Sequence, residues 1–135
     1  MADLEGAIEL EPADGEVRLA FIVRNRGPQP ATLSWFEPFV SFSLEAEIGG
    51  VPARLVQGAY DRGMRPVTDV LDPGTQRRIP TPITLAFDPA PTLPDPTPPT
   101  RWRIAHEPAP TRLRATLRLG EDRVDCVGEL TPPLG

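Results

Sequence analysis

VRLAFIVRNRGP, residues 17–28, decides the fold class. Val17, Leu19, Phe21 and Val23 occupy every second position, with Arg18, Ala20, Ile22 and Arg24 between them. A period of two puts the first set on one face of a strand and the second on the other, so the first set is expected in a core and Arg18 and Arg24 in water. Asn25-Arg26-Gly27-Pro28 then ends the strand with residues suited to a turn.

The same alternation recurs outward from this run. Leu33 and Trp35 form a short row closed by Pro38, and Val40, Phe42, Leu44, Ala46 and Ile48 alternate up to Gly49-Gly50, a pair able to adopt the positive φ of a tight hairpin. Residues 51–56 read as the returning strand and 57–68, which lack a period, as a loop. Val70-Leu71-Asp72-Pro73-Gly74 reads as a strand end turning through Pro-Gly. Ile83, Leu85 and Phe87 alternate again, as do Leu113, Ala115, Leu117 and Leu119, then Val124 and Cys126. With 19 prolines in 135 residues, long helices are hard to place, because proline removes a donor and breaks helix interiors. The expectation is a single all-β domain over residues 1–135, a two-sheet antiparallel sandwich of seven to nine strands. Leu19, Phe21, Val23, Phe42, Leu44, Leu85, Leu113, Leu117 and Val124 are its expected core.

Residues 88–100, DPAPTLPDPTPPT, contain six prolines and have polyproline character. The strands that follow are too few to bury a core of their own, so the segment is read as an inter-strand loop crossing between the sheets and not as a domain linker. Its unrestricted side chains, Thr92, Leu93 and Thr97, are candidate contact residues, since prolines reduce the entropy lost on docking. Trp35 and Phe36 are the other candidates: adjacent strand residues point to opposite faces, so both cannot enter one core.

The run VRLAFIVRNRGPQPATLSW (17–35), the turn LDPGTQRRI (71–79) and RLRATLRL (112–119) resemble the strands and edge turns of bacterial immunoglobulin-like domains, and loosely those of the intracellular proteinase inhibitor type. The resemblance implies an immunoglobulin-like sandwich. It carries no functional residue across, and the paired inter-sheet cysteines and the tyrosine of antibody domains are missing.

Chemistry is sparse. His106 is the sole histidine and Cys126 the sole cysteine, which excludes a histidine-rich zinc site or an internal disulfide. Cys126, in an alternating apolar stretch, is expected to be a buried, inert thiol. Asp61, Asp69, Asp72, Asp88 and Asp95 are scattered without the spacing of a calcium loop. A net charge of −5 argues against a nucleic-acid partner, although all 14 basic residues are arginine. No apolar run reaches the length of a membrane span, and the acidic start, MADLEGAIEL, lacks the pattern of a secretory signal, which favours the cytoplasm. The reading is a non-enzymatic module, without cofactor, that binds another protein through loops or edge strands, with self-association left open. An intracellular peptidase inhibitor and a carbohydrate- or calcium-binding sandwich are the alternatives.

Overall fold

The computed structural model describes residues 3–37, 40–57, 65–91 and 100–132. Among these the only regular elements are strands: β1 (Leu4–Ala13), β2 (Glu16–Asn25), β3 (Ala31–Glu37), β4 (Phe42–Ile48), β5 (Val51–Ala53), β6 (Leu55–Val56), β7 (Arg65–Leu71), β8 (Gln76–Phe87), β9 (Arg101–Ile104), β10 (Thr111–Leu119) and β11 (Asp122–Leu130). One large sheet runs β5-β4-β10-β11-β1-β2-β8-β9-β6, and a separate ribbon pairs β3 with β7. Only Arg54 separates β5 from β6, yet the two stand at opposite ends of that order. The sheet therefore curls until both edges meet one short segment, and it is nearly closed.

The chain is all-β as expected, but the large sheet is mixed and not antiparallel. β1 pairs with β11 in parallel, and β8 pairs with β9 in parallel. Parallel neighbours require a crossover of about a dozen residues, and residues 88–100 lie between β8 and β9 in the chain. That segment therefore joins two adjacent strands of one sheet; its residues 92–99, and with them the crossing expected there, lie outside the described residues.

Four further differences have local causes. β1 alternates Leu4, Gly6, Ile8 and Leu10, a row weakened by its glycine and by interleaved glutamates. It forms a hairpin with β2 through Asp14 and Gly15, both at positive φ. Strand β8 begins at Gln76 despite Pro80 and Pro82, because Thr81 supplies the missing bonds. Its buried Oγ1 donates to Leu19 O at 2.7 Å and accepts from Ile83 N–H at 3.1 Å, at the point where the β2–β8 register shifts. Strand β7 starts at Arg65, inside the expected loop. The returning strand at 51–56 breaks at Arg54, since β5 stays with β4 while β6 joins β9.

The core is one contiguous cluster. It takes Leu19, Phe21 and Val23 from β2, Leu33 and Trp35 from β3, Leu44 from β4, Ile83 and Leu85 from β8, Leu113 and Leu117 from β10, and Val124 from β11. Phe42 was expected among these but is only half-buried: it sits at the end of β4, edge-on to Phe21 with ring centres 4.9 Å apart and 5.6 Å from the ring of Trp102. Arg18 and Arg24 are exposed as expected. Buried Asn25 fastens the ribbon to the large sheet. Its Nδ2 donates to Leu71 O and Gln29 O, both at 2.8 Å, and its Oδ1 accepts from Gly27 N–H at 2.9 Å. A buried amide with these bonds satisfied is stabilising, and one left unpaired is costly.

At the β1–β11 seam the backbones approach too closely for side chains. A methyl group on Gly6 would collide with Cys126 Sγ and lie 2.6 Å from Val124 Cγ1, and one on Gly128 would lie 2.8 Å from Ile8 Cβ. We expect Gly6→Ala and Gly128→Ala each to lower the stability read from urea unfolding by about 1–3 kcal/mol, the usual range for overpacking a core. Adding Cys126→Ala to Gly6→Ala should recover part of the loss. Strictly additive effects would mean that these two residues do not compete for one space.

Candidate functional site

In the β3–β7 ribbon Ala31 pairs with Leu71, Leu33 with Asp69, Trp35 with Val67, and the alternate pairs are Thr32–Val70, Ser34–Thr68 and Phe36–Pro66. Ala31, Leu33, Trp35 and Leu71 are buried on the inner face. Thr32, Ser34, Phe36, Pro66, Thr68 and Val70 form the outer face, and none of the six carries a charge. Phe36 is 47% exposed and Val70 55%, so two large apolar side chains stand in water there. Trp35 and Phe36 thus part company as the alternation requires, with Trp35 in the core and Phe36 outside.

The inner face holds the ribbon firmly. Arg77, from β8 of the large sheet, lies over the Trp35 ring with its guanidinium carbon 5.3 Å from the ring centre, and it pairs with Asp69 at 2.6 Å. Trp35 Nε1 donates to Glu37 Oε1 at 3.3 Å. A cation over an indole adds about 0.5–1 kcal/mol where it is partly exposed.

The ribbon's edges are guarded. Val70 N–H donates to Asp69 Oδ1 at 2.9 Å, and Pro66, on the same side of β7, has no N–H to offer. On the β3 side the β10–β11 turn comes close, since a methyl group on Gly120 would lie 3.5 Å from Ser34 Cβ. What the ribbon offers is a face and not a strand edge.

The other residues singled out by the sequence do not gather around this surface. Thr92, Leu93 and Thr97 lie outside the described residues. His106 is exposed just beyond β9, its Nδ1 2.7 Å from Glu107 O. Among the described residues no group of three or more histidine, cysteine or carboxylate side chains is placed to hold a metal ion. Glu16 and Arg103 form a largely enclosed ion pair at 3.0 Å that ties β2 to β9. Pro66 and Val70 escape a sequence reading because proline and the neighbouring glycines disguise the strand. The signal is nonetheless there: Val67, Asp69 and Leu71 form one row of RPVTDVL and Pro66, Thr68 and Val70 the other.

No protein-family model matches the chain, and no curated protein matches it. No helix among the described residues is long and apolar enough to cross a membrane.

Cys126 is buried, and burial first, then the charge of Asp125, pushes its thiol up to about 12 from an ordinary 9.0. It therefore stays protonated at neutral pH, and the thiolate that nucleophilic chemistry needs is lacking. Iodoacetamide at pH 8 should leave Cys126 unmodified in the folded chain and alkylate it after urea unfolding. The folded state keeps the thiol proton to higher pH than the unfolded chain does. Its contribution to stability is thus complete below about pH 9 and lost as pH rises toward about 12. The urea midpoint should fall across that window more in the native sequence than in Cys126→Ala.

Proposed function

We propose that this chain is a non-enzymatic module that binds another protein, and that the outer face of the β3–β7 ribbon is its contact surface. One observation carries the reading: six neighbouring outward positions lack any charge in a chain of which 24% is charged, and Phe36 and Val70 project from opposite corners of that face. Interface centres are depleted in charge and enriched in aromatic side chains. The Trp35–Arg77–Asp69 arrangement beneath keeps the face rigid, which reduces the entropy lost on docking.

The same proposal reads the architecture as immunoglobulin-like. β1 bonds antiparallel to β2 and parallel to β11, and so joins a β2-β8-β9 half to a β11-β10-β4 half. A cytoplasmic location and a function without cofactor belong to this reading.

The test compares the tagged wild-type chain with Phe36→Asp/Val70→Asp. Both positions are exposed, so circular dichroism and melting temperature should be nearly unchanged, while a protein retained by the wild type is lost from the variant. Retention of the same protein by a folded variant would remove the ribbon face from the interface. If sedimentation shows a wild-type dimer that the variant abolishes, the partner is a second copy of this chain.

A further inference from the structure

The hairpin between β4 and β5 turns through Gly49 and Gly50, at φ of 60° and 80°. In such a two-residue hairpin the flanking pair, here Ile48–Val51, exchanges both backbone hydrogen bonds. Ala46–Ala53 does the same two residues on, and Leu44 is next to point its N–H and C=O to that side. Its partner should be Leu55. However, the chain leaves β4 at Arg54, and Leu55 pairs instead with Ile104 of β9, helped by the bond from Ala105 N–H to Arg54 O at 2.9 Å. Phe42–Glu45 thus has β10 on one side and no strand on the other among the described residues.

A cavity of about 370 Å³ occupies this notch. Leu44, Glu45, Leu55, Gln57, Arg112 and Arg114 are among the residues that line it. Beside it Phe42 is half-buried, an apolar ring at the same open edge.

We infer that the β4 edge at Phe42–Glu45 accepts an extended peptide of a partner protein, one that sets an apolar residue opposite Leu44 and a basic residue opposite Glu45. Added strands gain affinity from backbone bonds and selectivity from alternate side chains. The residue opposite Leu44 lies on the inward side, beside the half-buried ring of Phe42. The next residue points outward and faces Glu45, which has no ion pair among the described residues. Arg114 stands on the far side of Glu45 in the β10 register. At about 5 Å for the adjacent strand against about 10 Å for the one beyond, the carboxylate outweighs the guanidinium, whose field is also screened over roughly that distance. Arg112 also lines the cavity, but it stands opposite Glu47 in the β10 register and pairs with Glu129 at 3.7 Å, so its charge is already matched. The net charge of −5 favours a basic segment as well. This inference rests on the reading of the chain as a contact module but uses a different surface from the ribbon face.

The experiment titrates the ¹⁵N-labelled full chain with three capped hexapeptides: alternating valine and arginine, alternating valine and glutamate, and the arginine peptide N-methylated at every second residue. The arginine peptide should shift the amides of Phe42 and Leu44 and slow hydrogen exchange at Leu44. The glutamate peptide should bind roughly tenfold more weakly, the N-methylated one should not bind, and Glu45→Arg should reverse the charge preference. Equal binding of the N-methylated peptide, or shifts that spare Phe42 and Leu44, would overturn the inference. Phe36→Asp/Val70→Asp should bind the arginine peptide unchanged, so a failure here leaves the ribbon-face reading standing, and a failure of that reading leaves this edge intact.

Discussion

Where β1 and β11 run side by side, Gly6 faces Cys126 and the following pair is Ala7–Val127. The backbones can come this close because Gly6 and Gly128 have no side chains to fill the space taken by Cys126 and Ile8. Only these two register pairs stitch β11 to β1, while ten join β1 to β2. The seam thus hangs on a small contact, and among the described residues the two halves of the large sheet meet nowhere else along its hydrogen-bonded order except at the 51–56 segment. The burial of Cys126, and the protonated state that follows from it, is a by-product of the same close approach.

The second dependence is on polar groups that stand in for missing backbone bonds. Thr81 bridges a stretch in which two prolines offer no donors, and Asn25 gathers the ends of β2 and β7 with the turn that leads from β2 to β3. Both side chains are buried with their bonds made, which is how a proline-rich chain can still form a continuous sheet.

These two features also explain what could be read from the residues alone. The rows in β2, β4, β10 and β11 are legible because one face of each meets the core, and the period of two survives intact. β1 hides its row behind a glycine whose purpose appears only against Cys126, a contact between opposite ends of the described chain. β8 is disguised by prolines whose effect Thr81 cancels, and β7 by a proline that is harmless on an unpaired side. The parallel pairings and the split at Arg54 depend on which distant strands are neighbours, and periodicity carries no information about that. The same limit applies to the contact surface. Phe36 could be picked out beside Trp35 by alternation, whereas Val70 and Pro66 join it only through the register of β3 with β7.

The parallel pairing of β1 with β11 also bears on how the protein is made. During synthesis β1 and β2 leave the ribosome early and can form their hairpin at once, but the opposite edge of β1 has to wait for β11, more than a hundred residues later. Until then a bare strand edge, with a glycine cleft beside it, is presented to the crowded surroundings of the nascent chain. Contacts of such long sequence separation form slowly and leave unpaired edges open to aggregation. Charged side chains beside such an edge deter neighbouring chains from pairing with it, and Glu9 and Glu11 of β1 stand there without their ion-pair partner, Arg78, until β8 is made.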